Sequence, residues 1–105
     1  MSKALFKPVL NYCEHLCEAL EHDYVKQYAP RHKEFTVSTG RKYYKILEDG
    51  SSAVAFVDKV NGDVFKPASW NSPAKHVRYN LLNDSSRHQC LSNADWAGGF
   101  LYLRG

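Results

Sequence analysis

In PVLNYCEHLCEALEHDYVKQY, residues 8–28, apolar side chains fall at Val9, Tyr12, Cys13, Leu16, Cys17, Leu20, Tyr24 and Tyr28. Steps of three and four are the α-helical period, so the stretch predicts one long amphipathic helix. Pro8 suits its first turn. Pro30 drives the residue before it towards extended geometry and stops the helix by about Tyr28. Glu14, Glu18 and Glu21 occupy the outer face. The inner face needs an apolar surface to cover, and a sheet is the natural partner.

The pattern then changes to short runs of β-forming residues. EFTVST (34–39), RKYYKILED (41–49), AVAFVD (53–58) and VFK (64–66) read as strands. Thr39-Gly40, Gly50-Ser51-Ser52 and the Asn61-Gly62 pair read as the turns between them. Strands joined by short turns predict an antiparallel meander. In the second strand Tyr44 and Ile46 point one way and Tyr43, Lys45 and Leu47 the other. Neither set is purely apolar, so the pattern leaves open which face meets the helix. Pro67 ends the pairing, because proline offers no ladder donor. Ser72-Pro73 then reads as an N-cap followed by a first-turn proline, opening a helix over 73–82 with Ala74, Val77 and Leu81 inward. Residues 83–89 read as a polar loop and Phe100 to Leu103 as a last strand. The predicted fold class is α+β. A long N-terminal helix packs on a three- to five-stranded antiparallel sheet, with a second short basic helix, in a single domain over 1–105.

Composition and charge sharpen this picture. With 105 residues, 44% apolar and 24% charged, the chain is ordinary for a globular domain and leaves little room for a deep substrate cavity. No apolar run approaches the ~20 residues of a membrane span, and the N-terminus lacks a signal-peptide core. An intracellular protein with no membrane partner is expected. Three cysteines, Cys13, Cys17 and Cys90, are a poor disulfide framework and read as small core residues. The five histidines show no metal-ligand spacing, so no metal and no cofactor are expected. The net charge of +3 is uneven: residues 35–78 carry seven cations against four anions, and the rest of the chain balances. That excess suits an acidic partner.

The excess meets an aromatic in the stretch FVDKVNGDVFKPASWNSPAKHVRYNL, residues 56–81. Here Gly62, Asp63, Lys66, Pro67, Ala68, Ser69, Trp70, Pro73, Ala74, Lys75, Val77 and Arg78 form a pattern. It resembles one in small uncharacterised proteins of tailed bacteriophages, with GRKYYKI (40–46) and GGFLYLR at the C-terminus as further points of likeness. The chain departs from that pattern in placing Tyr79 where a glycine is usual, and keeps Asn80. The resemblance implies a phage accessory protein made in the cytoplasm of an infected bacterial host. It implies no activity.

On a helix, Lys75 and Arg78 would stand three apart and present two cations to one phosphate or acidic patch. A helix start at Ser72 would add free N–H groups, and an exposed Trp70 would stack on a base. The competing structural reading has Trp70 plugging the gap between sheet and helix, and Lys75 and Arg78 paired with Asp63 and Asp84. His76 has no visible acid–base partner, and neither a calcium loop, a P-loop nor a nucleophile elbow is present, so no catalytic residue and no enzyme activity are expected. The expected function is non-catalytic binding of an acidic partner, nucleic acid before others, through Lys66, Trp70, Lys75 and Arg78, extended by Arg41, Lys42 and Lys45. The rival is inhibition of a host protein, of the anti-defence type, through a face such as Glu14, Glu18 and Glu21. A third reading is a small nucleotide- or phosphate-binding factor using Ser72 to Lys75.

Overall fold

The computed structural model describes residues 6–102, with side chains from Pro8 onward. Helix α1 (Phe6–Tyr28) is followed by strands β1 (Phe35–Thr39), β2 (Tyr43–Glu48), β3 (Ser52–Asp58), β4 (Asp63–Phe65) and β5 (Tyr79–Asn80). Helix α2 (Asp84–Asn93) and a 3₁₀ turn (Gly99–Leu101) complete the chain. The strands form one antiparallel sheet in sequence order, β1-β2-β3-β4-β5. The chain is thus α+β, with a long helix on a five-stranded antiparallel sheet and a second, shorter helix. No helix among the described residues is long and apolar enough to cross a membrane.

The core lies between α1 and one face of the sheet. Val9, Cys13, Leu16 and Leu20 of α1 are fully buried, together with Ile46, Ala55, Val57 and Val64. This settles the face of β2: Tyr44 and Ile46 meet the helix, and Tyr43, Lys45 and Leu47 point away. Truncating a fully buried leucine such as Leu16 in this layer would cost about 2–5 kcal/mol. Between Ile46 and Leu47 the register shifts, leaving Val54 without a partner on β2. Val54 to Asp58 are nevertheless five consecutive buried residues, because β3 is covered on both faces: Ala55 and Val57 pack in the α1 core, and Phe56 lies under Tyr43 on the other side.

The turns follow from local chemistry. Asp49 and Gly50 both have positive φ, and Ser51 N–H donates to the Glu48 carbonyl, so an Asp-Gly turn of the hairpin-favoured kind joins β2 to β3. At the next turn the Asp58 carboxylate accepts from the Val60 and Asn61 N–H groups. Gly62 then takes φ 80°, and a Cβ there would come 3.0 Å from Leu82, so glycine is needed twice over.

Three predicted elements differ. Residues 73–82 are not a helix. Pro67 and Pro73 form a β-bridge, Ala74 N–H donates to the Lys66 carbonyl, and Arg78 N–H donates to the Val64 carbonyl. These cross-chain bonds carry the segment back along β4 and into β5. His76, at φ 72°, would break any helix through it. The helix occurs instead at Asp84–Asn93, across most of the predicted loop. Asn83 caps it by accepting from Ser86 N–H, and Asp84 pairs with Arg87 across one turn. Its only buried residue is Cys90, which is why it carries no apolar period. Finally, Gly99–Leu101 is a 3₁₀ turn where a strand was expected, with Phe100 and Leu101 closing the core; Leu103 lies outside the described residues.

The cysteines behave as core residues. All three are buried and free. Burial is the main cause that pushes the Cys17 and Cys90 thiols up to about 12, and it raises Cys13 as well. The thiolate is the reactive form. At pH 8 a disulfide reagent such as DTNB should therefore label none of the three in the folded protein and all three after denaturation, read by absorbance. Labelling of the native protein at the rate of free cysteine would show the core assignment to be wrong.

Candidate functional site

The stretch 66–74 is a finger built on β4 and β5. Ala68 and Ser69 N–H groups both donate to the Ser72 carbonyl, the Ser69 and Ser72 hydroxyls are 3.0 Å apart, and Asn71 N–H donates to Ser69 Oγ. These bonds tie the tip Ser69-Trp70-Asn71-Ser72 into a tight turn. The turn holds Trp70 out: its side chain is 46% exposed. An indole that plugged the core would be mostly enclosed, so Trp70 is not a core residue.

The finger lies over the sheet face that α1 leaves uncovered. There Tyr43 meets Phe56 and Phe65 edge to face, with ring centres 5.8 and 6.1 Å apart. Lys45 extends across this cluster. Its Nζ is 4.0 Å from the Trp70 ring centre and 5.5 Å from that of Phe56. Lys42 Nζ is 5.4 Å from the Tyr43 ring. Such contacts contribute about 0.5–1 kcal/mol each at exposed sites and leave the ammonium in water.

Two grooves meet at the finger. One, of about 210 Å³, holds Arg41, Lys42 and Lys45 with Tyr43, Phe56 and Asn71. The other, of about 440 Å³, runs between the start of β3, at Ser52 to Val54, and the finger. It opens where β4 ends, because β3 pairs with β4 only at Phe56 and Val57. Lys66, Trp70, Trp96 and Tyr102 line it. Tyr102 is 60% exposed, and Lys66 Nζ stands 4.9 Å from its ring. Sequence reasoning missed Trp96 and Tyr102, since only the C-terminal wrap brings them here. Trp96 is anchored by edge contacts to Tyr24 and Tyr28 and by its backbone N–H, which donates to the Asp23 carboxylate.

The structure divides the residues singled out from the sequence. Lys66, Trp70 and Lys45 are brought together, with Arg41 and Lys42 alongside. Lys75 is exposed at the base of the finger and lines neither groove. Arg78 is committed to the backbone: its Nε donates to the Leu101 carbonyl and its Nη1 to the carbonyls of Lys75 and His76. Neither Lys75 nor Arg78 stands on a helix, so the phosphate cradle expected at a helix start over Ser72 to Ala74 does not form. The expected pairings with Asp63 and Asp84 do not form either. Asp63 accepts from Asn80 and Asp84 pairs with Arg87.

Electrostatics follow from the same accounting. Each anion of the cationic third is already engaged. Glu48 and Asp49 hold Lys33, Asp58 binds its own turn, and Asp63 binds Asn80. The Glu34 N–H, with Lys33 behind it, holds the Asp49 carboxyl below its ordinary range. Arg41, Lys42, Lys45, Lys66 and Lys75 make no ion pair among the described residues. No group of three or more His, Cys, Asp or Glu among the described residues is placed to hold a metal ion.

An α+β domain with an aromatic finger over a cationic sheet face is thus the class of protein defined here. The chain matches a family of unknown function (DUF7717) over residues 1–103, and it belongs to that family. No curated protein and no solved structure matches it.

The Arg78 clamp yields a prediction. Arg78→Ala leaves three carbonyls without their donor at the junction of finger and C-terminal turn. It should cost about 2–3 kcal/mol, a fall in Tm of roughly 10 °C for a domain of this size. Lys75→Ala should leave Tm unchanged. Thermal melts of the two variants, followed by circular dichroism, check both, and equal melts would remove Arg78 from its structural role.

Proposed function

We propose that this protein is a non-catalytic binder of single-stranded nucleic acid, which it engages with the finger and the sheet face beneath it. The observation that carries the reading is Trp70: an exposed indole at the tip of an ordered turn, with a lysine ammonium 4.0 Å from its ring and other unpaired cations in the two grooves beside it. Binding without sequence preference combines a cationic track for the backbone with aromatic faces for the bases. Trp70 and Tyr102 supply faces, and Arg41, Lys42, Lys45 and Lys66 supply charge. Lys75 extends the track at the finger base. Arg78 holds the finger and touches no ligand. A rigid duplex would bring its phosphates but no free base face, so a single strand suits the indole better. The likeness of residues 56–81 to tailed-phage proteins supports an accessory role in an infected bacterial cell.

The test is fluorescence anisotropy with labelled oligo-dT and oligo-rU against a duplex of equal length. Stacking on an aromatic is worth about 1–3 kcal/mol per base, so Trp70→Ala should weaken single-strand binding roughly tenfold. Three or four neutralised phosphates give a slope of about −2 to −3 in log K against log salt, and Lys45→Ala with Lys66→Ala should make it shallower. Arg78→Lys should affect stability more than affinity. No binding by the wild-type protein, or binding unmoved by Trp70→Ala, would overturn the reading.

A further inference from the structure

A second surface, formed by α1 and the β1 edge, carries the reverse charge. Strand β1 is an edge of the sheet, paired only with β2. Its bonds with β2 run through Thr36 and Ser38, because Asp49 N–H donates to the Glu34 carbonyl at one end and Gly40 N–H to the Tyr43 carbonyl at the other. The alternation of an antiparallel ladder therefore turns the backbone groups of Phe35, Val37 and Thr39 outward. Glu21 satisfies the first of these, its carboxylate accepting from Phe35 N–H at 2.9 Å. Val37 and Thr39 keep outward-facing donors and acceptors.

Natural edge strands are blunted by lysine, proline, a bulge or a covering segment. β1, FTVST, has none of the first two, and its register against β2 is unbroken. A groove of about 470 Å³ runs along it, with Leu10, Cys17 and Val37 at its apolar floor and Glu14, Glu18 and Glu21 on its α1 wall. The described residues place no cation in its lining.

We propose that this edge receives an extended basic segment of a partner protein, which adds as a sixth strand beside β1 and sets lysine or arginine side chains against Glu14 and Glu18. Strand addition supplies main-chain bonds, and side-chain pockets along the groove supply selectivity. Charge decides the occupant. A second copy of this chain pairing antiparallel through β1 would place the two α1 helices side by side and bring two acidic rows together, which like charges oppose. A strand with cations at alternate positions meets no such cost. Nucleic acid is repelled by the same carboxylates, so this surface is separate from the finger.

The test uses a labelled peptide alternating lysine with valine or threonine, read by anisotropy. The protein should bind it and should not bind the same peptide with glutamate for lysine. Backbone N-methylation at alternate residues should abolish binding in one phase and spare it in the other, which probes strand addition without altering the protein. Glu14→Lys with Glu18→Lys, both exposed, should lower affinity at least tenfold with an unchanged circular dichroism spectrum, whereas Lys45→Ala with Lys66→Ala should leave it intact. Equal binding of both peptides, indifference to N-methylation, or failure of the wild-type protein to bind overturns the proposal. So does a dimer, seen by sedimentation, that is lost in Thr39→Pro, since the edge would then serve a second copy.

Discussion

One long amphipathic helix can cover one face of a sheet, and this chain devotes its longest element to doing so. Among the described residues no second helical layer covers the far face, and the character of that face follows from this. Val9, Cys13, Leu16 and Leu20 close the core against Ile46, Val57 and Val64. The other face still carries Tyr43, Phe56 and Phe65, too much aromatic surface to leave bare. The chain covers it with thin material: the methylene stem of Lys45 and a finger between β4 and β5. Lysine stems shield apolar surface while their heads stay wet. A face roofed in this way is cationic and aromatic together, as a consequence of how it is packed.

The finger depends in turn on a few polar anchors. Asn80 donates to the Asn61 carbonyl and to Asp63, and its side-chain oxygen accepts from the N–H groups of Leu82 and Asn83. Its own N–H donates to Ser86. One residue thus joins the Asn-Gly turn, strand β4 and the start of α2. Arg78 fixes the other side of the base. With both in place the Ser69–Ser72 tip needs no hydrophobic support, and Trp70 is released from structural work. Much of the stretch from Gly62 to Arg78 is therefore scaffold for a finger, and Trp70 and Lys75 stay exposed on it, as do Asn71, His76 and Val77.

That division explains what could be read from the sequence. α1 was legible because its apolar positions repeat at 3.6 over several turns and burial follows that repeat. The meander was legible from its short β-forming runs and the turn residues between them, although β3 is buried on both faces. The excess of cations over residues 35–78 was legible in the sequence, but the lack of ion pairs at Lys45 and Lys66 among the described residues and the contact of Lys45 with Trp70 were not. The finger was not. Ser72-Pro73 carries the local marks of a helix start, and the bonds that overrule it, Ala74 to Lys66 and Arg78 to Val64, join residues eight and fourteen positions apart. α2 was hidden for the opposite reason. It buries one cysteine, so it has no period, and its signal was the cap: Asn83, then Asp84 in the first turn with Arg87 one turn on. Trp96 and Tyr102 reach the groove only through the tertiary path of the C-terminal segment, which no local pattern encodes.

The two surfaces can coexist because the fold separates their charges. The acidic row of Glu14, Glu18 and Glu21 lies on α1 beside β1, while Lys45 and Lys66 stand at the finger and Arg41 and Lys42 in the turn that follows β1, in a groove that also takes in Ser38. Packed layers stand on the order of 10 Å apart, and the screening length at physiological salt is about 8 Å. At about one screening length the two sets still sense each other, and a polyanion on the finger side is drawn by the nearer lysines more than it is repelled by the carboxylates on α1. Were the same charges interleaved on one face, they would neutralise each other and attract neither partner. A modest net charge of +3 thus conceals two patches of opposite sign, one along α1 and one around the finger, and it is on these that the two proposals rest.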